Sequence, residues 1–584
     1  MSDVLYKKID WKTLRPYQKR SFVAEDFQPD DFSQIQPYLE DLAGRAITDS
    51  SELVKWINDR SELESVIDQH SSILYIKMTC QTDHEQYARE YKHFISEVAP
   101  QIKPFEDKIN KKYLDFLKTL SFDDPYYKIY TREIEEDVAL FRSENIEIET
   151  ELSLLSQEYQ TIFGAMTVQF DGQEKTLQEM SKYLLDHDRN KRQDAWRSIS
   201  SRRLKDKDRL DDIFDRMVQH RHHIAQNIGC RTFTEYMFRA LHRFDYTAED
   251  CLAYHATIER AVVPLWERIL KQRCRQMGVD VLRPWDTACD PLGRPPLKPF
   301  EQAQDLIRGC ANIFHHVDPE LGEQFNSMAR AGCLDLDSRI GKAPGGYQST
   351  LNEARKPFIF MNAVGLDQDV RTLLHEGGHA FHALACANEP LLDYRHAPME
   401  FCEVASMSME LLGGEYLDVF YQFEEAQRSV QHHLEDVIYI LIWVAIVDAF
   451  QHWIYDHPQH TPDQRKQAWL EMLNRFGTSH VDWQGFEEEK AFSWHRQLHI
   501  FEVPFYYIEY GIAQLGALQI WMKSKEDFQS AIQSYRTALS FGGSLPLPKL
   551  FEAAGIRFDF SEKMILPLVS LVGRRLGFAE SMQS

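Results

Sequence analysis

A chain of 584 residues can bury a large core, and its 26 glycines, a low share beside the usual ~7%, form no flexible linker, so few domains are expected. Lys and Arg number 66 against 90 Asp and Glu, and a formal charge of −24 argues against a nucleic-acid phosphate backbone as partner. The nine cysteines, scattered from Cys80 to Cys402 without a C-x-x-C pair, argue against a disulfide framework or a Cys-based zinc site and for a reducing, cytoplasmic setting.

Met1 to Arg20 carries charges throughout and has no apolar stretch, so no secretory signal is expected. From Ser33 to Leu120 the pattern is helical, with His84 to Val98 and Lys103 to Leu117 expected as an antiparallel pair. Glu133 to Ile162 and Leu177 to Arg202 continue in the same manner, which places a helical N-terminal lobe over 1–190 and leaves 191–584 as a second region. Between them Thr167-Val168-Gln169-Phe170, followed by Asp171-Gly172, predicts a short strand and turn.

Lys191 to Tyr254 is rich in Arg and His. Neighbouring histidines on a helix point in different directions, so His220, His222 and His223 read as solvated surface, as do His315-His316 and His432-His433. Pro284 to Pro299, with five prolines, is a loop between helices. Gly341 to Tyr347 is turn-rich; it leads to a strand ending at Leu351 and, after Asn352 to Lys356, a second strand from Pro357 to Asn362. An edge strand that begins at Gly345, Gly346 and Tyr347 can hold an extended peptide by its backbone.

Leu373 to His382 contains the pattern H-E-x-x-H. At about 100° per residue His375, His379 and His382 share one helix face, while Val370, Leu373, Leu374, Phe381 and Leu384 lie opposite. Imidazoles at i and i+4 can grip one divalent ion, with Glu376 offset to reach a water. A helical Gly costs about 1 kcal/mol relative to Ala, so Gly377 and Gly378 imply a close approach. Gly377, on the apolar face, predicts tight packing against a neighbouring helix; Gly378, bordering the histidines, predicts room for metal or substrate.

Pro398 to Gly413 reads as a second helix, with Phe401, Ala405 and Leu412 on one side and Glu400, Glu403 and Glu410 on the other. Carboxylates gathered on one stripe repel unless a cation is near, and two His with one Glu is a catalytic zinc set. Spacing leaves all three glutamates open as the third ligand. The metzincin pattern fails, because His382 and Ala385 stand where it needs Gly and His. Val437 to Val447 is an apolar run too short to span a bilayer and reads as a core helix. Phe541-Gly542-Gly543-Ser544 lacks the Gly-Lys of a phosphate loop.

Gly341 to Tyr347, Pro357 to Asn362, His375 to His382, Glu400 to Leu411 and Pro504 to Gly511 together resemble the oligoendopeptidase F branch of the thimet-oligopeptidase family. The resemblance implies a mostly α fold, a two-lobed multi-helix ellipsoid with a deep channel, zinc at its floor and a small β-sheet beside the zinc helix. It matches His375 and His379 to the histidine ligands, Glu403 to the third ligand and Glu376 to the catalytic base. It also implies that Tyr510, Tyr507 and an upstream His, His499 or His495, face the reacting carbonyl. The expected activity is zinc-dependent hydrolysis of internal bonds in short unstructured peptides, with no nucleic-acid or membrane partner. A dipeptidyl- or carboxypeptidase would need a cationic group for a terminal carboxylate, and no single Arg declares itself. A peptide-binding protein without turnover would not need Glu376.

Overall fold

The computed structural model describes residues 8–578 apart from 121 and 340, so the first seven residues of the Met1 to Arg20 stretch lie outside it. The chain is mostly helical. Residues between Val23 and Ile134 build their own apolar core around Trp56, Tyr113 and Tyr130, completed by Leu391 and Tyr394 from far along the chain. The main core runs from Leu155 to Leu576 and includes Ile76.

One expectation in the N-terminal part fails. Glu85–His93 runs through a wide turn, Phe94–Val98, straight into Ala99–Thr119, so His84 to Val98 and Lys103 to Leu117 belong to one continuous helical run rather than an antiparallel pair. Pro100 and Pro104 have no N–H to give and crowd the preceding turn. The backbone accommodates them with an i→i−5 bond from the Ala99 N–H to the Phe94 carbonyl. The expected strand and turn are present as Thr167–Phe170 paired antiparallel with Gln173–Thr176.

The predicted hairpin is Tyr347–Leu351 against Lys356–Ala363, with Tyr347 opposite Phe360. A further, unexpected strand, Leu334–Asp337, pairs parallel on the other side, so Lys356–Ala363 is central and Tyr347–Leu351 an edge. Its signal was present in the alternation of Leu334 and Leu336, both buried, with two aspartates. Lys342 and Arg339 grip Asp335, and Lys342 also donates to the carbonyl of Met361, which ties the turn-rich segment to the sheet.

The strand Lys356–Ala363 leads into the helix Asp367–Ala385, termed the His helix. Its start is fixed by Asp369, whose Oδ2 accepts from the Val364 and Leu366 amides at 2.8 Å each. Two further helices complete the centre: Met399–Gly413, the Glu helix, and Tyr507–Glu526, the Tyr helix. The Glu helix packs against both. Pro398 is its N-cap rather than a residue of its first turn.

The two helical glycines have different reasons. A Cβ on Gly377 would lie 2.4 Å from Cζ of Phe314, as expected for packing against a neighbouring helix. A Cβ on Gly378 would lie 2.5 Å from Ser406 Cα and 2.6 Å from the Ala405 carbonyl oxygen. Gly378 therefore does not make room for metal or substrate; it lets the Glu-helix backbone close on the His helix. The apolar run Val437 to Val447 lies in Phe423–Asp456, long and apolar enough to cross a bilayer, yet its most apolar window is 83% buried inside the protein.

Candidate active site

The Nε2 atoms of His375 and His379 lie 3.4 and 3.6 Å from one Glu403 oxygen, Oε2. All three ligand atoms fall within 4.8 Å of one another. With bonds of about 2.0–2.2 Å, a tetrahedral zinc site holds its ligand atoms roughly 3.3–3.6 Å apart, so these residues fit that ion. Glu403 is buried, and its carboxyl is nevertheless held down at about 2, because His379, His375 and the Tyr506 hydroxyl favour the anion over the cost of burial. Its other oxygen, Oε1, accepts from Tyr506 at 2.8 Å, and Ser406 Oγ donates to Oε2 at 2.9 Å.

The two remaining glutamates have other employment. Glu410 Oε1 lies 2.7 Å from His375 Nδ1, which turns the ring's other nitrogen toward Glu403. Its second oxygen is 3.1 Å from His433 Nε2. His433 is thus no solvated surface residue: the Phe423–Asp456 helix aims it inward, one layer behind His375. Glu400 points away, accepting from the Tyr246 hydroxyl at 2.6 Å with Arg243 at 3.8 Å.

Glu376 is buried beside the group, with Oε2 lacking a protein hydrogen-bond partner. Burial pushes its carboxyl up to about 7; Glu403 and Glu410 add to this, and His375 and the Gln348 backbone amide oppose it. That amide belongs to the edge strand, so strand and glutamate meet. Gly345 has φ +93°, a conformation open to glycine, and its carbonyl accepts from Asn362. A Cβ on Gly346 would meet the Phe360 carbonyl oxygen and Thr372 at ordinary contact distance. Tyr347 stacks on Phe360 with ring centres 4.7 Å apart and hydrogen-bonds Thr79, which leaves its backbone rather than its side chain for a peptide. His382 is buried one turn beyond His379, against Phe401 and outside the ligand group.

The tyrosine segment enters from the far side. His499 Nε2 faces the Tyr510 hydroxyl at 3.4 Å, whereas His495 is buried elsewhere with its Nε2 3.2 Å from Asp211. Of the two candidate histidines, only His499 joins the group. Tyr507 packs its ring on His499 and Tyr510, but its hydroxyl is directed to Trp443 and Gln497. Tyr506, which no sequence pattern singled out, is the tyrosine that bonds Glu403. Its direction is set by Phe505, held at φ +65° by Arg243, which donates to the Phe505 carbonyl at 2.6 Å and to Glu509 at 2.7 Å. A non-glycine residue in that region costs about 1–3 kcal/mol, and the Arg243 hydrogen bond to its carbonyl helps hold it there.

A second group, Cys251, Asp448 and His452, is fully buried in the core. There Asp448 is 2.8 Å from His255 and 3.4 Å from His452, a carboxylate bracketed by two imidazoles.

A family model described as peptidase family M3 matches residues 182–568, and one described as the peptidase M3 N-terminal domain matches 22–141. A solved structure of PZ peptidase A with an inhibitor superposes with a TM-score of 0.89 at 26% identity, covering 96% of this chain and 100% of that one. Oligopeptidase PepF of Bacillus subtilis is 24% identical over 306 residues, half of this chain and 44% of that protein. An oligoendopeptidase F homolog of Borreliella burgdorferi is 25% identical over 260 residues, 41% of this chain and 42% of its own length. The chain thus spans less than half the length of these curated relatives. The match over 182–568 encloses the His helix, the Glu helix and the Tyr helix, and the chain belongs to peptidase family M3, whose members are metallopeptidases.

Proposed function

We propose that the protein is a zinc metalloendopeptidase that cuts internal bonds of short, unstructured peptides. The observation that carries this reading is the convergence of His375, His379 and Glu403 at zinc-ligand separations, with the orphaned Glu376 oxygen beside them. Those three residues would hold the ion, which when bound supplies Lewis acidity and lowers the pKa of water toward 7.

The chain's own groups do the rest. Glu410 and His433 orient His375, while Tyr506 and Ser406 orient Glu403, so the ligands are preorganised before any cation arrives. Glu376 takes the proton of the attacking water and passes it to the leaving amine. Tyr510 and His499 donate hydrogen bonds to the oxygen on which charge develops, a role typically worth about 10²–10³ in rate. Tyr507 supports them from behind. The edge strand that starts at Gly345, Gly346 and Tyr347 holds the peptide as an added strand, which suits flexible chains and not folded ones.

Digestion of a mixed peptide library, read by mass spectrometry, tests the proposal. Internal cleavage that stops on removal of zinc and returns on its restoration is expected. Products shortened only by single residues or dipeptides from one end would replace it with an exopeptidase.

A further inference from the structure

Behind the tyrosine segment stand Trp443, Gln497 and His499, with the Tyr507 hydroxyl directed at the first two. The Trp443 indole N–H can only donate, and it lies 3.0 Å from Gln497 Oε1. The Gln497 amide is therefore turned with its oxygen toward Trp443 and its NH₂ toward His499. Its Nε2 is 2.8 Å from His499 Nδ1. An amide NH₂ has no lone pair to offer, so Nδ1 must accept, and the proton of the neutral ring sits on Nε2. That is the nitrogen facing Tyr510, with the Tyr507 and Tyr506 rings 5.0 and 5.7 Å from the imidazole.

We propose that Trp443 and Gln497 are positioning residues that lock His499 in its Nε2–H tautomer, so that the imidazole presents a donor, not a lone pair, to the peptide carbonyl. The inference rests on the reading that His499 faces the substrate. Its chemical sense is that a third imidazole with a free lone pair, close to two that bind metal, would compete as a ligand or act as a stray base. With the proton held on Nε2 it can do neither. Burial keeps the ring neutral, lowering its pKa to about 4 against the opposing pull of Glu403. The indole that starts the relay is itself fixed, buried on the Phe423–Asp456 helix with Trp469 5.6 Å away and the Arg496 guanidinium 5.4 Å over its ring.

The test is Gln497→Glu in the zinc-loaded enzyme, with kcat and KM measured across pH. A carboxylate accepts from Trp443 and equally from an Nδ1–H, so the neutral ring loses its Nε2 donor and only the imidazolium retains it. The expected result is a kcat at least tenfold lower above the raised His499 pKa, climbing as pH falls through it, with KM changed less. This limb is absent from the wild type. It must also vanish in Gln497→Glu/His499→Phe, which keeps the added charge and lacks the ring. Gln497→Met, which neither donates nor accepts strongly, should show a smaller loss and a wild-type profile. A wild-type pH profile in Gln497→Glu, with zinc content and circular dichroism intact, would overturn the relay. So would the same loss and profile in Gln497→Met as in Gln497→Glu, which would mark packing alone. His499→Phe separates the two layers of argument. If it lowers kcat at least tenfold while Gln497→Glu behaves as wild type, only the relay falls; if it leaves kcat unchanged, the assignment of His499 falls and the relay with it.

Discussion

Replacing Gly378 by Ala should cost the protein its metal more than its fold. The added Cβ would sit 2.5 Å from Ser406 Cα and 2.6 Å from the Ala405 carbonyl oxygen, both backbone atoms of the Glu helix that no rotamer change can move. Ordinary carbon contacts are about 3.5–4.0 Å, so the two helices must part locally by roughly 1 Å. Overpacking of this kind costs about 1–3 kcal/mol, and Ala recovers about 1 kcal/mol of helix propensity over Gly. The net cost is thus at most about 2 kcal/mol, and with an unfolding entropy of about 2.1 cal/mol/K per residue a chain of 584 residues would shift its Tm by less than ~2 °C. The zinc site is far more sensitive. Ser406 holds Glu403 Oε2 at 2.9 Å, so a displacement of about 1 Å carries that oxygen out of the 3.4 and 3.6 Å separations it keeps from His375 and His379. A loss of about 10–100-fold in zinc affinity is expected, the usual scale for a disturbed ligand support. Titration of metal-free protein with zinc against a competing chelator measures it, with Gly377→Ala as control, since the atoms nearest its new Cβ belong to the Phe314 ring and not to the Glu helix. Zinc affinity in Gly378→Ala within twofold of wild type would refute the argument that helix contact sets the ligand geometry.

Glu403→Ala should lose zinc by elemental analysis, whereas Glu400→Ala should retain it, because Glu400 serves Tyr246 and Arg243 instead; the opposite pattern would reassign the third ligand. Glu410→Gln should keep zinc but bind it about 10–100-fold more weakly, and unchanged affinity would remove Glu410 from any orienting role. Glu376→Gln should keep zinc and lower kcat by about 10²–10⁴. Since Glu376 acts as a base only when deprotonated, kcat/KM of the wild type should fall as pH falls through its pKa. Burial raises that pKa to about 7 and a bound cation pulls it back down, so the acid limb belongs below neutrality. A residual activity of Glu376→Gln with the same acid limb would assign that limb to another group. In a length series of one repeated sequence, set beside a native globular protein, only the flexible peptides should be cut; equal rates would mean an open cleft.

What could be read from the sequence was local. His375 and His379 are one helical turn apart, so their shared face follows from helix geometry alone, and Glu376 follows from its place between them. Turn-rich Gly341 to Tyr347 and the break at Asn352 to Lys356 marked out the two strands ending at Leu351 and running from Pro357 to Asn362, again a local signal, whereas the alternation in Leu334 to Asp337 is only four residues long. The stripe of Glu400, Glu403 and Glu410 was legible as a stripe. Which of the three binds was not, because all lie within a narrow arc of one helix and only the position of the His helix across from them separates their roles. Likewise, two neighbouring histidines on a helix give no hint that one of them, His433, will meet Glu410 from another element.

Tertiary structure decided the rest where direction depended on a distant group. Tyr506 and Tyr507 are adjacent, and no pattern says which will reach Glu403; the choice follows from the left-handed Phe505, held by Arg243 from more than 250 residues earlier. His495 and His499 were equivalent in sequence until Asp211 claimed the one and Gln497 the other. Gly378 was legible as a place of close approach, but a missing side chain says only that something comes near. That it is the backbone of Ser406, and not a metal or a peptide, is a property of how two helices pack, and a single helix carries no record of its partner.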